Sequence, residues 1–263
     1  MPAEGATSDL IEAPEKEPRT VHGPDGVAVE NVVRAFRTRR AVVPALDGMT
    51  LHARRHEVVA VVGPSGCGKT TLLELICGLQ APDAGSVRCA GAALMPQRDL
   101  LLPWLSALDN ASLALRARGV PRPDARRQAE PWLARFGLAG FERARPAELS
   151  GGMRQRVSFL RTLLAGKPVL ALDEPFAALD AITRHEMQGW LGHVLTMEAR
   201  TVVLVTHDVE EAIILADRVV VMSPRPGHVV AEINVALPRP RRATDLAVVE
   251  LREQAFRALG VER

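Results

Sequence analysis

The stretch GPSGCGKTT, residues 63–71, constrains the fold of this chain more than any other. It follows the apolar run EVVAVV (57–62) and overlaps TTLLELICGL (70–79), whose apolar residues have helical spacing. Glycines let such a loop curl so that its N–H groups point inward. A buried strand, a glycine-rich loop and a helix N-terminus together form a phosphate site. The alternative is a glycine-rich turn without special chemistry.

The lysine in this stretch favours the phosphate site. The chain has 33 basic residues, and only Lys16, Lys69 and Lys167 are lysine. Gly63, four further residues and then Gly68-Lys69-Thr70 give the spacing G-x-x-x-x-G-K-[ST]. In a loop of this kind Lys69 reaches the β- and γ-phosphates of a nucleoside triphosphate, and the Thr70 hydroxyl ligates Mg²⁺. The motif alone does not distinguish a kinase, a GTPase or a motor.

The rest of the chain predicts an α/β fold around that loop. Buried-strand patterns occur in PVLALDEP (168–175), RTVVLVTHD (200–208) and DRVVVMS (217–223), separated by helical stretches. Such alternation is typical of a mainly parallel sheet. VAVENVVRAF (27–36) alternates as a strand does, and HVVAEINVAL (228–237) is a further strand. We therefore expect a P-loop NTPase fold with a mainly parallel core and an N-terminal antiparallel β portion.

Three segments differ in texture from that core. Residues 1–26 carry four prolines and six acidic residues and are predicted to be mostly disordered. Residues 27–240 are expected to form one nucleotide-binding domain, into which a helical subdomain, rich in Leu, Ala and Arg, is inserted at about 95–165. Residues 241–263 form a C-terminal tail, in which 243–261 has the pattern of an amphipathic helix.

Composition excludes several other classes of protein. Apolar residues make up 47% and charged residues 24%, as in ordinary globular proteins. The net charge of +2 gives no sign of a nucleic-acid partner. No apolar run approaches the roughly 18 residues of a membrane span, and no secretory signal is visible. Cys67, Cys77 and Cys89 lack metal-ligand spacing and are expected to be reduced thiols.

Two adjacent acids in VLALDEPFAALD point to hydrolysis. Asp173 ends a buried strand, where a carboxylate can hold Mg²⁺ through its waters. Glu174 can accept a proton from an attacking water, which a kinase does not need. Two solvated acids at a strand end are the alternative.

A second anion site is indicated by LSGGMRQRV (149–157). Ser150, Gly151 and Gly152 stand where a helix begins, and such a terminus attracts anions. One nucleotide does not need two cradles in one chain. We infer that this one serves a nucleotide held by a second copy, although an ordinary capped helix would have the same pattern.

Taken together, the motifs resemble those of ATP-binding cassette (ABC) ATPase subunits over about residues 27–240. The resemblance implies that Phe36 stacks on adenine, that Gln97 touches Mg²⁺ and the attacking water, and that His207 contacts the γ-phosphate. Asp180 would lie at the subunit contact. Each has a plain structural alternative, as core, surface or cap. The expected catalytic residues are Glu174, His207, Gln97 and Lys69; the expected ligands of Mg²⁺ are Thr70, Gln97 and Asp173; the expected ATP-binding residues are Phe36, Gly63, Pro64, Ser65, Gly66, Cys67, Gly68, Lys69, Thr70, Thr71, Ser150, Gly151, Gly152 and Asp180.

Residues 95–115 and 205–241 are similar to the ATPase subunits of nitrate/sulfonate/taurine-type bacterial importers. LLPW (101–104), shortly after Gln97, suits a groove that receives a helix of a membrane partner, or else packs the helical subdomain. The chain departs from the family pattern at Met153, where Gln is commoner, and in AALD (177–180), where SALD is commoner.

The resemblance implies a head-to-tail pair with two ATP molecules in the seam. Its partners would be a second copy, separate permease subunits and, indirectly, a solute-binding protein, with no nucleic acid. The ATPase would sit peripherally on the cytoplasmic face of the membrane. The alternative is an ABC ATPase of a non-import system, either soluble or mechanically coupled to a membrane complex.

Overall fold

The computed structural model describes residues 26–37 and 41–260. The predicted disordered tail, except for Gly26, lies outside the described residues. Within them the strands are β1 (Val27–Arg37), β2 (Val42–Ala53), β3 (Val58–Val62), β4 (Ala84–Cys89), β5 (Ala92–Met95), β6 (Val169–Asp173), β7 (Thr201–Thr206), β8 (Arg218–Met222) and β9 (Val229–Asn234). The α-helices are α1 (Lys69–Ile76), α2 (Ala107–Ala111), α3 (Leu113–Ala117), α4 (Arg122–Arg135), α5 (Gly151–Leu163), α6 (Ala181–Met197), α7 (Val209–Leu215) and α8 (Leu246–Ala258), with one 3₁₀ turn at Pro146–Glu148.

The strands form two sheets. The larger has the order β5-β6-β7-β3-β8-β9, in which β5 to β8 pair in parallel and β9 runs antiparallel to β8. The smaller is antiparallel with the order β2-β1-β4. The expected parallel core with an N-terminal antiparallel portion is therefore confirmed.

Strand β3 shows why the parallel strands read as continuous apolar runs. Every residue of β3 is buried, because the sheet is covered on both faces. Val58, Ala60 and Val62 belong to one hydrophobic core, and Val59 and Val61 to the other. Because successive side chains of a strand point to opposite faces, β3 contributes residues to both hydrophobic cores.

Helices α2 to α5 fill the stretch between β5 and β6. Their buried side chains, including Leu133 and Phe159, join the core on one face of the large sheet. Phe136 lies between Trp132 and Trp190, with ring centroids 5.9 and 5.2 Å away. This aromatic group ties α4 to α6.

The C-terminal helix α8 packs against α7 through fully buried Val248 and Ala255, seven residues apart on one helical face. Ahead of it, Arg241 is buried and donates to the carbonyls of Ile213 and Ala216, both at 2.6 Å. The last carbonyls of α7 are thereby satisfied by a side chain from the C-terminal segment.

Strands β2, β4 and β5 were not predicted. Pro44 and Gly48 interrupt the alternation of β2, and β5 is only four residues long.

Cys67, Cys77 and Cys89 are free thiols, as expected. Over the described ranges no helix combines the length and apolarity that crossing a membrane requires.

Candidate functional site

The P-loop connects the end of β3 to the start of α1. Helix α1 begins at Lys69, and its N-cap Gly68 has φ +106°, in the region that favours glycine. A Cβ at Gly68 would lie 2.8 Å from the Ala45 carbonyl oxygen and 2.8 Å from Leu46 Cδ2. The loop therefore lies directly against β2, and the helix N-terminus opens into the space beside it.

Lys69 is oriented by the loop that precedes it. Its side chain is buried, and Nζ donates to the carbonyls of Gly63 at 2.8 Å and Pro64 at 3.1 Å. An ammonium has three donors, so these two bonds leave one for an anion in the adjoining cleft.

Thr70 and Asp173 come together although they are 103 residues apart. The Thr70 hydroxyl donates to Asp173 Oδ2 at 3.0 Å. Burial raises the pKa of the Asp173 carboxyl, the Thr70 bond and the Lys69 charge lower it, and the neighbouring Glu174 raises it. A divalent cation beside this carboxylate would favour its charged form.

These oxygen donors fit Mg²⁺. The ion prefers hard oxygen ligands and is bound in proteins through one or two carboxylates together with substrate phosphates. The Thr70 hydroxyl and the Asp173 carboxylate, hydrogen-bonded to each other, supply two such oxygen ligands. The Gln97 amide is nearby, because it is hydrogen-bonded to Glu174, the residue after Asp173. No cluster of three or more His, Cys, Asp and Glu ligands occurs in the described ranges, so an all-protein metal cage is not formed there.

Glu174 directly follows β6 in a strained conformation. Its φ is +42°, which is uncommon for a residue other than glycine, and its N–H donates to the Val205 carbonyl at 2.9 Å. Gln97 Nε2 and His207 Nδ1 both lie 3.2 Å from the same carboxylate oxygen, Oε2. The second oxygen, Oε1, is left to accept a proton.

A cleft of about 380 Å³ joins most of these groups. Phe36 lines one part of it and is 37% exposed, with the Arg34 guanidinium 5.2 Å from its ring centroid. Such a ring can stack on a planar base while the cation polarises it. The lining residues are Phe36, Ala45, Ser65, Gly66, Gly68, Lys69, Thr70, Thr71, Gln97, Glu174 and Arg225.

Several residues expected to bind ATP do not line this cleft. Gly63 and Cys67 belong to the P-loop but are buried, and this burial raises the pKa of the Cys67 thiol. Pro64 is exposed beside them. His207 lines a neighbouring hollow instead and meets the cleft only through Glu174.

The segment Ser150-Gly151-Gly152, called the signature segment below, and Asp180 also lie outside the cleft of their own chain. Ser150 caps α5, with its hydroxyl accepting from the Met153 N–H at 3.2 Å. Asp180 caps α6 by accepting from two backbone N–H groups, and the bond from Thr183 leads in lowering its pKa. Ser150 and Asp180 are exposed, as residues that face another molecule would be.

Two residues near the site were missed by sequence reasoning. Arg225 lines the cleft from the loop after β8; the parallel pairing of β8 with β3 could have indicated this, because both strands end at one edge. Glu211 is buried on α7 behind Glu174, and this burial raises the pKa of the Glu211 carboxyl to about 8. Its position one helical turn before Leu215, on the same apolar face, was the available signal.

The sequence matches the family model described as "ABC transporter" over residues 46–177. It is 46% identical to a taurine import ATP-binding protein of Chromobacterium violaceum, over 84% of this chain and 91% of that protein. It is 42% identical to an aliphatic sulfonates import ATP-binding protein of Paracoccus denitrificans, over 90% and 94% of the two chains. A formylaminopyrimidine import ATP-binding protein of Halalkalibacterium halodurans is 44% identical, over 73% and 78%.

Two solved structures of similar fold are dimers. The chain resembles an ATP-binding cassette in a dimeric post-hydrolysis state bound to ADP and Pi, with a TM-score of 0.69 and 27% identity. The likeness covers 81% of this chain and all of that one. A dimeric bacterial ABC transporter cassette gives a TM-score of 0.70 at the same identity and coverage.

Proposed function

Since this chain belongs to the ABC transporter family and is an ATPase of the importer type, we propose that it drives uptake of a small solute through a separate membrane permease. The observation that carries the proposal is the meeting of Lys69, Thr70, Asp173 and Glu174 at one edge of the sheet, beside a cleft lined by Phe36. The base of ATP stacks on Phe36, and its phosphates lie along the P-loop.

The residues in and beside the cleft divide the tasks of hydrolysis. The third N–H of Lys69 neutralises charge on the β- and γ-phosphate oxygens. Glu174 Oε1 takes a proton from the attacking water, while Gln97 and His207 orient the carboxylate through Oε2. Thr70, Asp173 and Gln97 would hold Mg²⁺, which would supply positive charge next to the phosphates. The product pair is ADP and phosphate.

The second half of each site comes from another copy of the chain. Ser150, Gly151 and Gly152 open a helix whose N-terminus attracts phosphate, yet they stand outside the cleft of their own chain. A head-to-tail pair brings this segment over the γ-phosphate held by the partner copy, with Asp180 at the contact. Two ATP molecules then close the pair.

The surface that meets the permease follows Gln97. Trp104 and Leu100 are 67% and 57% exposed, whereas Leu101 of the same stretch is buried. Exposed apolar side chains beside a residue that senses the nucleotide suit a helix of a membrane partner. The ATPase is then peripheral on the cytoplasmic face, and a solute-binding protein delivers a taurine-, sulfonate-, nitrate- or pyrimidine-like solute.

The test separates nucleotide binding from hydrolysis. Glu174→Gln keeps shape but cannot take a proton, so we expect turnover to fall by about 10²–10⁴-fold while Mg·ATP still binds. Lys69→Ala is expected to lose both. Purified chains are assayed for ATP binding and phosphate release, and cells carrying each variant for uptake of taurine, an alkanesulfonate, nitrate and formylaminopyrimidine.

The exposed Glu250→Gln on α8 is the control and should match the wild type. Near-normal turnover by Glu174→Gln would contradict its role as the base. If Lys69→Ala leaves the uptake of every tested solute unchanged, the result contradicts import of this solute class.

A further inference from the structure

The loop between β8 and β9, residues 223–228, lies against the P-loop. Strands β3 and β8 pair in parallel, with Val62 opposite Val221, so the loops that follow them leave the sheet at one edge. A Cβ at Gly227 would lie 2.1 Å from the Cys67 carbonyl oxygen and 2.5 Å from Met222 Cε. Only glycine fits this approach of one backbone to the other.

The same loop is fixed on its other side. The Gly227 N–H donates to the Ala45 carbonyl at 2.9 Å, and the Gly227 carbonyl accepts from the Asp47 N–H at 3.1 Å. Within the loop the Ser223 hydroxyl accepts from the His228 N–H at 3.1 Å and lies 2.9 Å from the Pro224 carbonyl oxygen. A backbone held to its neighbours in this way presents its side chains in fixed positions.

Arg225 stands on this loop, exposed, and lines the nucleotide cleft. In the sheet, β8 lies on one side of β3, and β7 and β6 lie on the other. Arg225 and Glu174 therefore flank the P-loop from opposite sides. Phe36 pairs with Val43, two residues from the Ala45 that binds Gly227, so Arg225 belongs to the Phe36 end of the cleft.

That end already has a fixed aromatic surface. Arg34 lies over the Phe36 ring and is itself held by Asp83 at 2.9 Å and Gln80 at 3.0 Å. A planar base stacked on Phe36 has a second face to cover. A guanidinium is planar, permanently charged and weakly hydrated, and it stacks on such a face, which an ammonium does much less well.

We propose that Arg225 is a further nucleotide-binding residue, which stacks on the base that Phe36 holds from its other face. The inference rests on the proposed function, because it concerns the same cleft. It assigns recognition of a purine nucleotide to two elements, β1 and the β8–β9 loop, that are independent of the phosphate-binding motif.

The experiment compares a ligand that has a base with one that has none. We expect Arg225→Gln in the full-length chain to weaken Mg·ADP binding on the order of 3- to 30-fold, as for loss of a cation–π contact. Its affinity for inorganic tripolyphosphate, measured by calorimetry under the same conditions, should stay unchanged. Arg225→Lys keeps the charge and should recover only part of the loss.

Two controls accompany this comparison. Arg54→Gln changes an exposed arginine before β3, at the opposite edge of the sheet, and should bind both ligands as the wild type does. Thermal unfolding of Arg225→Gln and of a second variant, Arg225→Met, monitors folding. A destabilised Arg225→Gln is replaced by Arg225→Met in the comparison.

The outcomes are distinct. Equal weakening of tripolyphosphate and ADP would make Arg225 a phosphate contact and overturn the inference, as would unchanged ADP affinity or full recovery by Arg225→Lys. Failure of the wild type to bind either ligand would instead contradict the proposed function.

Discussion

At the scale of single residues, Glu174 and Glu211 lie near each other but have opposite environments. Glu174 faces the cleft and has donors on one oxygen. Glu211 lies behind it, 3% exposed, and within the described residues its Oε1 has no hydrogen-bond partner. Burial, with the Asp208 and Glu174 charges, raises the pKa of Glu211 to about 8, against smaller opposite effects of Thr206 and Arg184. Glu211 therefore carries a proton at neutral pH.

That proton makes stability depend on pH. The ordinary pKa of 4.5 applies to the unfolded chain, so between about 4.5 and 8 the folded state binds more protons. The free energy of unfolding then falls as pH rises through this window. Because glutamine cannot ionise, we expect Glu211→Gln to gain stability relative to the wild type from pH 5 to pH 8.5 in urea titrations. A difference that is constant over this range would contradict the raised pKa; the exposed Glu250→Gln is the matched control.

At the scale of elements, α7 is fixed at both of its ends. Asp208 caps its start by accepting from the N–H groups of Glu210 and Glu211, and Arg252 of α8 binds Glu210 at 2.9 Å. Arg241 binds the carbonyls at its end. Because α7 begins two residues after His207, the C-terminal segment determines where that histidine stands.

We therefore expect Arg241→Lys to loosen α7. A lysine cannot reach several carbonyls in the plane of a guanidinium, so buried acceptors lose their donors, at a cost of about 2–5 kcal/mol in unfolding free energy. Hydrogen exchange should speed up in α7 more than in β3. The adjacent Arg242 is exposed, and Arg242→Lys is the control. Equal stability of the two variants would show that the carbonyl bonds contribute little.

The elements found from the sequence are those whose environment is set locally. Strands such as β3 are apolar throughout, and the helix after Gly68 has its cap and its periodicity in one stretch. Strand β4 owes its pairing to β1, a partner distant in sequence, whereas β2 pairs with β1 as the next strand along the chain. The patterns of β2 and β4 are broken by Pro44, Gly48 and Gly85. The same distinction between local and distant determinants applies to the residues of the candidate site.

Residues inside a motif, such as Lys69 and Glu174, could be assigned to the site from spacing alone. Arg225 could not, because only the order of strands in the sheet brings its loop beside the P-loop. Glu211 was missed for another reason. Its place one turn before Leu215 is on an apolar face, but burial of an acid runs against the usual preference of charged residues for water.

At the scale of the whole molecule, one chain carries two separate helix N-termini that we propose bind phosphate. The P-loop and the helix that Ser150 caps are both positioned on the same core, yet only the first lines the cleft. Two solved cassettes of similar fold are dimers. The proposed head-to-tail pair would use both ends of both copies.

Ser150→Arg tests this arrangement by placing bulk and charge in the seam. In a Glu174→Gln background, where ATP is retained, we expect the single variant to sediment as a dimer with Mg·ATP. The double variant should bind ATP but stay monomeric. Met197→Arg, an exposed change at the far end of α6, should leave the dimer intact. Dimerisation of the Ser150→Arg double variant would count against the shared site.

A catalytic site divided between copies also has a consequence for inheritance. A chain with a damaged signature segment can still hold ATP at its own P-loop and enter a pair with a normal chain. It then spoils the site at the P-loop of the normal chain, which its own signature segment should have completed. Alleles that disable Ser150 while sparing Lys69 would therefore be dominant in a cell that carries both forms, whereas alleles that prevent folding would be recessive.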